Sequence, residues 1–248
     1  MHPILLGIAG HAVQSNGMMY FLATIVAWAF AVRAARRNGW NPQDVLPGLV
    51  LVVVAAYIGA RLHGATLVEG HFPTDPLRKL LRPHGLSFFG GLATGALAAL
   101  GYLRWQRWPV GKAADALVPI APVLYAMFRL GCFLNGDDYG PVTSMPWGIR
   151  FPAGSPPTAA RVHPTQLYEI ALMVPVFAWI WTRRDPPLPP GALSCELCIV
   201  MGAERFVAEF WRLGDRIAAG LTASQWLALA LVAVGLAGRY VTARRSAP

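Results

Sequence analysis

The sequence predicts an all-α, polytopic integral membrane protein that crosses the bilayer seven times. Hydrophobic residues make up 55% of the 248 residues and charged residues only 13%, a balance typical of multi-spanning membrane proteins and rare in soluble domains. The net charge of +9 does not indicate nucleic acid binding, because the basic residues lie in short clusters beside apolar stretches. We expect one membrane domain covering residues 1–248 and no nucleic acid partner.

Seven stretches each approach the roughly 20 apolar residues that the core of a bilayer requires. In chain order they are residues 17–34, 46–65, 85–105, 114–134, 164–181, 191–210 and 221–241. Residues 1–16 are too short to span and are interpreted as a surface-lying or re-entrant piece. The first stretch is not a cleavable signal peptide, because no basic region precedes it and Arg33, Arg36 and Arg37 follow it.

The distribution of Lys and Arg predicts the orientation in the membrane. These residues are more numerous on the side that holds Arg36, Lys112 and Arg184 than on the side that holds Arg82 and Arg150, which places the N-terminus outside and the C-terminus in the cytoplasm. The two longest loops, about 66–84 and 135–163, then lie on the outer face. The second is rich in Gly and Pro, which predicts irregular backbone. The outer face is therefore the expected working side.

Charged residues inside the predicted spans indicate where function should be sought, because a charge in hydrocarbon is costly unless it is paired or lines a polar cavity. The informative set is Arg61, Arg129, Glu169, Arg205 and Glu209. Arg129 is followed by Gly and Asn residues, and its guanidinium can fork onto the phosphate of a lipid headgroup. Snorkelling to the interface or pairing with a carboxylate explains its position equally well.

Arg205 and Glu209 are four residues apart and share a helix face. They either neutralise each other as a structural pair, or Glu209 orients Arg205 toward a substrate anion, and the spacing does not choose between these interpretations. Arg61 lies among small residues that let helices approach closely. It needs a carboxylate partner, for which Glu169 and Glu209 are the leading candidates.

The fifth predicted span begins with the run 163–169, His-Pro-Thr-Gln-Leu-Tyr-Glu. Helix capping would explain the first three of these residues. It does not explain why Gln166, Tyr168 and Glu169 enter the membrane together.

Taken together, these motifs resemble those of bacterial prolipoprotein diacylglyceryl transferases. Matching segments occur in the family's order and approximate spacing, at residues 17–20, 59–61, 87–92, 128–140, 163–169 and 205–212 and at Gln225. The resemblance touches all seven predicted spans.

This resemblance implies a multi-pass enzyme of the bacterial inner membrane. It would move the diacylglyceryl group of phosphatidylglycerol onto the lipobox cysteine thiol in the signal peptide of a preprolipoprotein and release glycerol 1-phosphate. Its partners would be these two substrates and membrane lipids, and we expect neither a cofactor nor a metal ion.

Arg129 and Arg205 match the family's two key arginines. We expect both to be catalytic by stabilising the charge that develops on the leaving phosphate. Other residues match positions that line or brace the substrate cavity: Arg61, Asn135, Asp137, Tyr139, Gly140, Gln166, Tyr168, Glu169 and Glu209.

Two residues depart from the family pattern on the side that would activate the thiol. The usual histidine of the third span is Phe89, and the tyrosine four residues before Arg205 is Met201. Because the thiolate is the reactive form of cysteine, His63, His84 or His163 would have to compensate, or the arginines alone would lower the pKa of the thiol. The alternative functions are a phospholipid-binding or translocating protein without chemistry and a transferase with a different acceptor.

Overall fold

The computed structural model describes residues 4–8, 11–64, 87–184 and 188–244, most of which are helical. The predicted outer loop at 66–84, the start of the predicted third span and His84 lie outside the described residues, as does the side chain of Phe89. The described α-helices are α1 Ser15–Arg37, α2 Val45–His63, α3 Phe88–Trp105, α4 Val110–Leu117, α5 Ala121–Asn135, α6 Thr165–Arg183, α7 Ala192–Ala208 and α8 Ala223–Arg244.

Helices form in all seven predicted spans, and four helical stretches are long and apolar enough to cross a membrane. These four are Ser15–Arg37, Pro42–His63, Val110–Asn135 and Ala223–Arg244. The helix α3 is described only from Phe88 onward, α7 is only 17 residues long, and α6 carries polar side chains, including Glu169, that lower its apolar character. The helical fold class is confirmed, and the number of crossings stays a prediction.

The fourth predicted span is a helical stretch interrupted by prolines. The helix α4 ends at Leu117, a short 3-10 helix covers Val118–Ile120, and α5 begins at Ala121. Pro119 and Pro122 lack the N–H group that an α-helix needs and crowd the preceding turn. The tighter 3-10 turn accommodates them and carries the chain on to Arg129.

The prediction of irregular backbone for residues 135–163 is wrong in part. Strand β3 (Ile149–Phe151) pairs in antiparallel fashion with β4 (Thr158–Val162). Gly and Pro dominate the composition of this loop. The side chains of Phe151 and Val162, one on each strand, are nevertheless buried, and this burial favours the pairing of the two strands. We call these two strands the outer hairpin, after the predicted outer loop that contains them.

Two further hairpins flank the first and last helices. Strand β1 (Ile4–Ile8) pairs with β2 (His11–Gln14) directly before α1, so the segment predicted to lie on the surface contains a hairpin. Strand β5 (Arg216–Ala218) pairs with β6 (Leu221–Thr222) directly before α8. Both hairpins therefore end where a long apolar helix begins.

The chain divides into two compact units, one of residues 31–113 and the other of residues 1–30 and 114–248. In the first unit α2 and α3 pack closely, because Gly59 leaves no room for a side chain beside Thr94. The Thr94 hydroxyl donates to the carbonyl of Ala55 at 2.9 Å across the two helices. This close approach agrees with the small residues of the sequence.

In the second unit α6 and α7 enclose a small apolar core. Its buried members are Val118, Met173, Val176, Ile180 and Leu193. The helices α7 and α8 pack closely, since a Cβ added to Gly202 would lie 2.8 Å from the carbonyl oxygen of Ala228.

Polar contacts fix the start of α7 within this unit. The Asp115 carboxylate accepts hydrogen bonds from the N–H groups of Gly191 and Ser194, each at 2.7 Å. Glu196 pairs with Arg183 at 2.6 Å and with Arg239 at 3.4 Å. Together these contacts hold α7 against the ends of α6 and α8.

Candidate functional site

Glu169, in the first turns of α6, is the centre of an ion-pair cluster. Its side chain is 0% exposed. One oxygen contacts Nε of Arg129 and accepts a hydrogen bond from the Tyr125 hydroxyl at 2.6 Å. The other lies 3.1 Å from Nη1 of Arg212 and 3.6 Å from Nη1 of Arg205. One buried carboxylate therefore faces three guanidinium groups, which compensate its charge.

Glu209 forms the second anchor of these arginines. Its Oε2 lies 2.7 Å from Nη2 of Arg205 and 3.6 Å from Nε of Arg212. Its other oxygen accepts a hydrogen bond from the Thr222 hydroxyl at 3.0 Å. The structural pairing of Arg205 with Glu209 is thus present. Arg205 is half-buried, and its buried Nη1 forms no hydrogen bond among the described residues.

Asp138 closes the cluster from the outer loop. Its Oδ2 lies 2.8 Å from Nη1 of Arg129 and 3.1 Å from Nη2 of Arg212, while its side chain is 47% exposed. Burial opposes its ionisation, but the charges of Arg212 and Arg129 outweigh burial and hold the pKa of Asp138 below its usual value. The arginine cluster is defined here as Arg129, Arg205, Arg212, Asp138, Glu169 and Glu209.

Local backbone structure explains why distant parts of the sequence meet here. Gly136 ends α5 in the left-handed conformation, and Asp138 also has a positive φ of 62°, so the chain turns back over Arg129. At the end of α7 a 3-10 turn, Glu209–Trp211, brings Arg212 back beside Glu209. Each turn therefore delivers one charged side chain to the cluster.

Four of the predicted cavity residues build the base of the outer loop. The Asn135 side chain donates to the Asp137 carboxylate, and Gln166, which is fully buried, donates to the Asp137 backbone oxygen. Asn16 adds a third donor to Asp137 at 3.0 Å. Gly140 donates to the carbonyl of His163 at 2.9 Å. These contacts fix the loop that carries Asp138.

Gly140→Ala is expected to destabilise the protein strongly and lower its activity. A Cβ there would clash with the backbone carbonyl of Trp211 and lie 2.9 Å from Cγ2 of Thr165, and overpacking of this kind costs about 1–3 kcal/mol or more. The thermal midpoint of the detergent-purified protein measures the effect. Gly101→Ala is the matched control, because its Cβ would meet nothing within 4 Å. Equal midpoints for the two variants would contradict the close packing.

The helix α6 begins at Thr165, directly after Pro164, as the helix-start pattern predicts, but Thr165 does not cap it. No side-chain capping bond is present at this helix start. The Thr165 hydroxyl instead donates to the backbone oxygen of Asp138 at 2.7 Å. The turned backbone at Asp138 offers this acceptor, and the threonine thereby ties the loop to α6.

The two predicted tyrosines lie outside the arginine cluster. The Tyr168 hydroxyl accepts a hydrogen bond from the Trp147 indole at 2.7 Å and lies 3.0 Å from Nδ1 of His163. The Tyr139 ring stacks on Phe151, with 5.2 Å between the ring centroids. Tyr139 therefore braces the outer hairpin, and Tyr168 forms part of an aromatic and histidine group beside α6.

Arg61 lies in the unit of residues 31–113, where it is buried near the end of α2. Its Nε donates to the Tyr57 hydroxyl at 3.2 Å, one helical turn earlier. Its pairing with Glu169 or Glu209 stays a prediction.

Sequence reasoning missed three members of this site or its immediate surroundings. Arg212 and Asp138 lie in segments that resemble the family but are not among the predicted site residues, and neither is Tyr125. Helical spacing could have found two of them, because Tyr125 lies four residues before Arg129 and Arg212 lies three after Glu209. Asp138 depends on a left-handed turn that no spacing rule indicates.

Comparison with known proteins gives a consistent result over nearly the whole chain. A family model described as prolipoprotein diacylglyceryl transferase matches residues 3–241. The chain is 34% identical to the phosphatidylglycerol–prolipoprotein diacylglyceryl transferase of Azoarcus sp. strain BH72, covering 95% of this chain and 92% of the relative. It is 31% identical to the enzyme of that name from Bordetella avium, covering 98% and 96%, and 32% identical to that from Nitrosomonas europaea, covering 96% and 88%.

Proposed function

The chain belongs to the prolipoprotein diacylglyceryl transferase family, and we propose that it transfers the diacylglyceryl group of phosphatidylglycerol to the lipobox cysteine thiol of preprolipoproteins. It is a multi-pass membrane protein and a transferase. We place it in the bacterial inner membrane with seven spanning helices, its N-terminus outside and its C-terminus in the cytoplasm.

The observation that carries the proposal is the arrangement of three guanidinium groups around Glu169. Arg129, Arg205 and Arg212 are held in fixed positions by buried carboxylates, and Nη1 of Arg205, 3.6 Å from Glu169, forms no hydrogen bond to the described residues. Guanidinium groups bind phosphate oxygens through paired, charge-assisted hydrogen bonds. The cluster therefore suits one lipid phosphate, which carries a single negative charge as a diester.

Asp138 marks the place where that phosphate would bind. It is the most exposed carboxylate of the cluster, and its Oδ2 takes one donor each from Arg129 and Arg212. A phosphodiester has the same charge and can accept the same two donors. In the proposed complex the lipid phosphate displaces the Asp138 carboxylate, while Glu169 and Glu209 keep the arginines in position.

The chemistry follows from the charge that the leaving group gains. The cysteine sulfur attacks the glyceryl carbon next to the phosphate, a carbon–sulfur bond forms, and the carbon–oxygen bond to phosphate breaks. The released glycerol phosphate gains a second negative charge as the bond breaks. Fixed cations beside that oxygen stabilise the transition state more than the substrate, and Arg129 and Arg205 are assigned this role.

The other site residues are assigned supporting roles in the proposal. Asn135, Asp137, Gly140 and Gln166 shape the loop that presents Asp138. Tyr168 and Tyr139 are proposed to line the path of the lipid or the peptide. Arg61 is proposed as a further substrate-binding residue.

Asp138→Asn is expected to lower the KM for phosphatidylglycerol several-fold, because the lipid phosphate no longer competes with an internal carboxylate. The lowered pKa of Asp138 means that its contacts with the arginines persist above about pH 4 and are lost only as the pH falls through its value in the folded protein. The KM ratio between variant and wild type should thus stay constant from pH 6 to 8 in initial-rate assays. An unchanged or raised KM contradicts the proposed phosphate position.

The proposed function is tested with purified protein, phosphatidylglycerol vesicles and a synthetic lipobox peptide. Mass spectrometry of the peptide should show a diacylglyceryl thioether, together with an equal amount of released glycerol phosphate. Binding of the lipid without either product would favour the non-catalytic alternative. Glycerol phosphate release without peptide modification would favour a different acceptor.

A further inference from the structure

Glu204 is a buried carboxyl group that the chemistry described so far does not use. It lies on α7 directly before Arg205 and is 7% exposed. Neither of its oxygens has a hydrogen-bond partner among the described residues. The other buried glutamates, Glu169, Glu196 and Glu209, are all held by arginines.

The surroundings of Glu204 are those of the arginine cluster. It interacts electrostatically with Arg129 and Tyr125 on α5 and with Glu169 on α6. It also interacts with Arg205 on its own helix and with Arg212 just beyond it. Glu204 therefore lies within electrostatic reach of the arginine cluster and directly beside Arg205 in the sequence, although it forms no ion pair within the described part of the chain.

A buried carboxyl group without partners is costly, and such a group is normally explained by a ligand or a catalytic role. Within the arginine cluster the other groups are unsuited to take up a proton. The guanidinium groups are always protonated, and each of the three cluster carboxylates is bound to at least two arginines. Both oxygens of Glu204, in contrast, have no hydrogen-bond donor in the part of the chain that the structure describes.

We propose that the Glu204 carboxylate is the general base that deprotonates the acceptor thiol. This inference rests on the proposed transferase function and names a residue for its activation step. The S–H proton passes to a Glu204 oxygen, and the resulting thiolate forms the carbon–sulfur bond as the carbon–oxygen bond to phosphate breaks. The proton then leaves to water or to the released phosphate, which regenerates the carboxylate.

Position on the helix supports this assignment. Glu204 follows Met201 by three residues and so lies on the same face of α7. Met201 packs against the apolar core of the unit and offers no base. The thiol would therefore enter between the guanidinium groups that hold the phosphate and a carboxylate one residue away from Arg205.

Glu204→Gln tests the proposal, because it keeps the shape and removes the proton acceptor. General base catalysis contributes about 10²–10⁴-fold, so kcat should fall by this factor while the KM for phosphatidylglycerol changes little. A selenocysteine peptide should restore the variant to within a few-fold of wild type, since a selenol ionises at neutral pH without a base. A merely structural role predicts equal losses with both peptides.

Glu196→Gln is the matched control on the same helix. It removes a buried glutamate that pairs with Arg183 and Arg239, away from the arginine cluster, so its kcat per folded protein should match wild type. Glu204→Asp should retain more activity than Glu204→Gln. Full thiol activity in folded Glu204→Gln overturns the inference but leaves the transferase function intact, whereas absence of product in wild type overturns both.

Should both Glu204 variants fail to fold, the wild-type pH profile decides the question. With a general base, the rate with the thiol peptide is flat over a range of pH below the thiol pKa of about 8.5. Without one, the rate rises about tenfold per pH unit up to that value, following the thiolate fraction.

Discussion

Replacing Arg129 with alanine is expected to abolish diacylglyceryl transfer. The side chain contacts Glu169 and Asp138 at once and stands in the middle of the proposed phosphate site. Loss of one fixed donor to a developing oxyanion costs about 10²–10³-fold in rate, and loss of an arginine that stabilises a phosphoryl transition state costs about 10³–10⁵-fold. We expect kcat to fall by about 10³-fold or more.

The thioether product measured by mass spectrometry gives the rate, and the amount of folded protein in detergent normalises it. Arg150→Ala is the matched control: this exposed arginine belongs to the outer hairpin of the same loop and should keep wild-type activity. If Arg129→Ala folds and retains more than a tenth of the wild-type rate, the phosphate site has been assigned to the wrong group.

Glu169→Gln is expected to have the largest effect on stability. Glu169 is the fully buried carboxylate that faces Arg129, Arg205 and Arg212. Removing one partner of a buried ion pair typically costs about 3–5 kcal/mol, because the remaining charge stays buried without compensation. The three guanidinium groups would repel one another and move apart, so transfer activity should be lost as well.

Thermal unfolding in detergent measures this effect, with Glu196→Gln as the comparison. Glu196 also pairs with two arginines, but those side chains are about a third exposed, and exposed pairs contribute only about 0–1 kcal/mol. The midpoint should therefore fall much further for Glu169→Gln. Equal shifts in the two variants would show that Glu169 does not anchor the cluster.

The helices could be predicted because the apolar stretches are long, and four of the charged residues inside them mark the candidate site. Arg129, Glu169, Arg205 and Glu209 all lie in the arginine cluster, as their costly positions in apolar segments suggested. The outer hairpin could not be predicted in the same way. Its strands are only three and five residues long, and their pairing depends on tertiary burial of Phe151.

Sequence spacing also cannot predict which charged residues share ion-pair partners within the site. The pairing of Arg205 with Glu209 follows from their separation by one helical turn. Glu169 instead contacts arginines that lie 36 or more residues away in the sequence. The side chains of Asp137 and Asp138 take different partners because the backbone of Asp138 is left-handed. Two adjacent aspartates thus take different places, one in the loop base and one over the arginines.

The three cations and three carboxylates of the arginine cluster cancel one another when the site is empty. A neutral cluster of this kind produces little long-range electrostatic field, so small anions in water are not attracted to it. Such anions would also have to displace the Asp138 carboxylate from the arginines. A lipid phosphate can displace Asp138 because the acyl chains of the lipid remain in the hydrocarbon and keep the phosphate close to the arginines. The site therefore discriminates between lipid phosphates and small aqueous anions by whether the anion is anchored in the membrane. Added salt should weaken lipid binding only slightly.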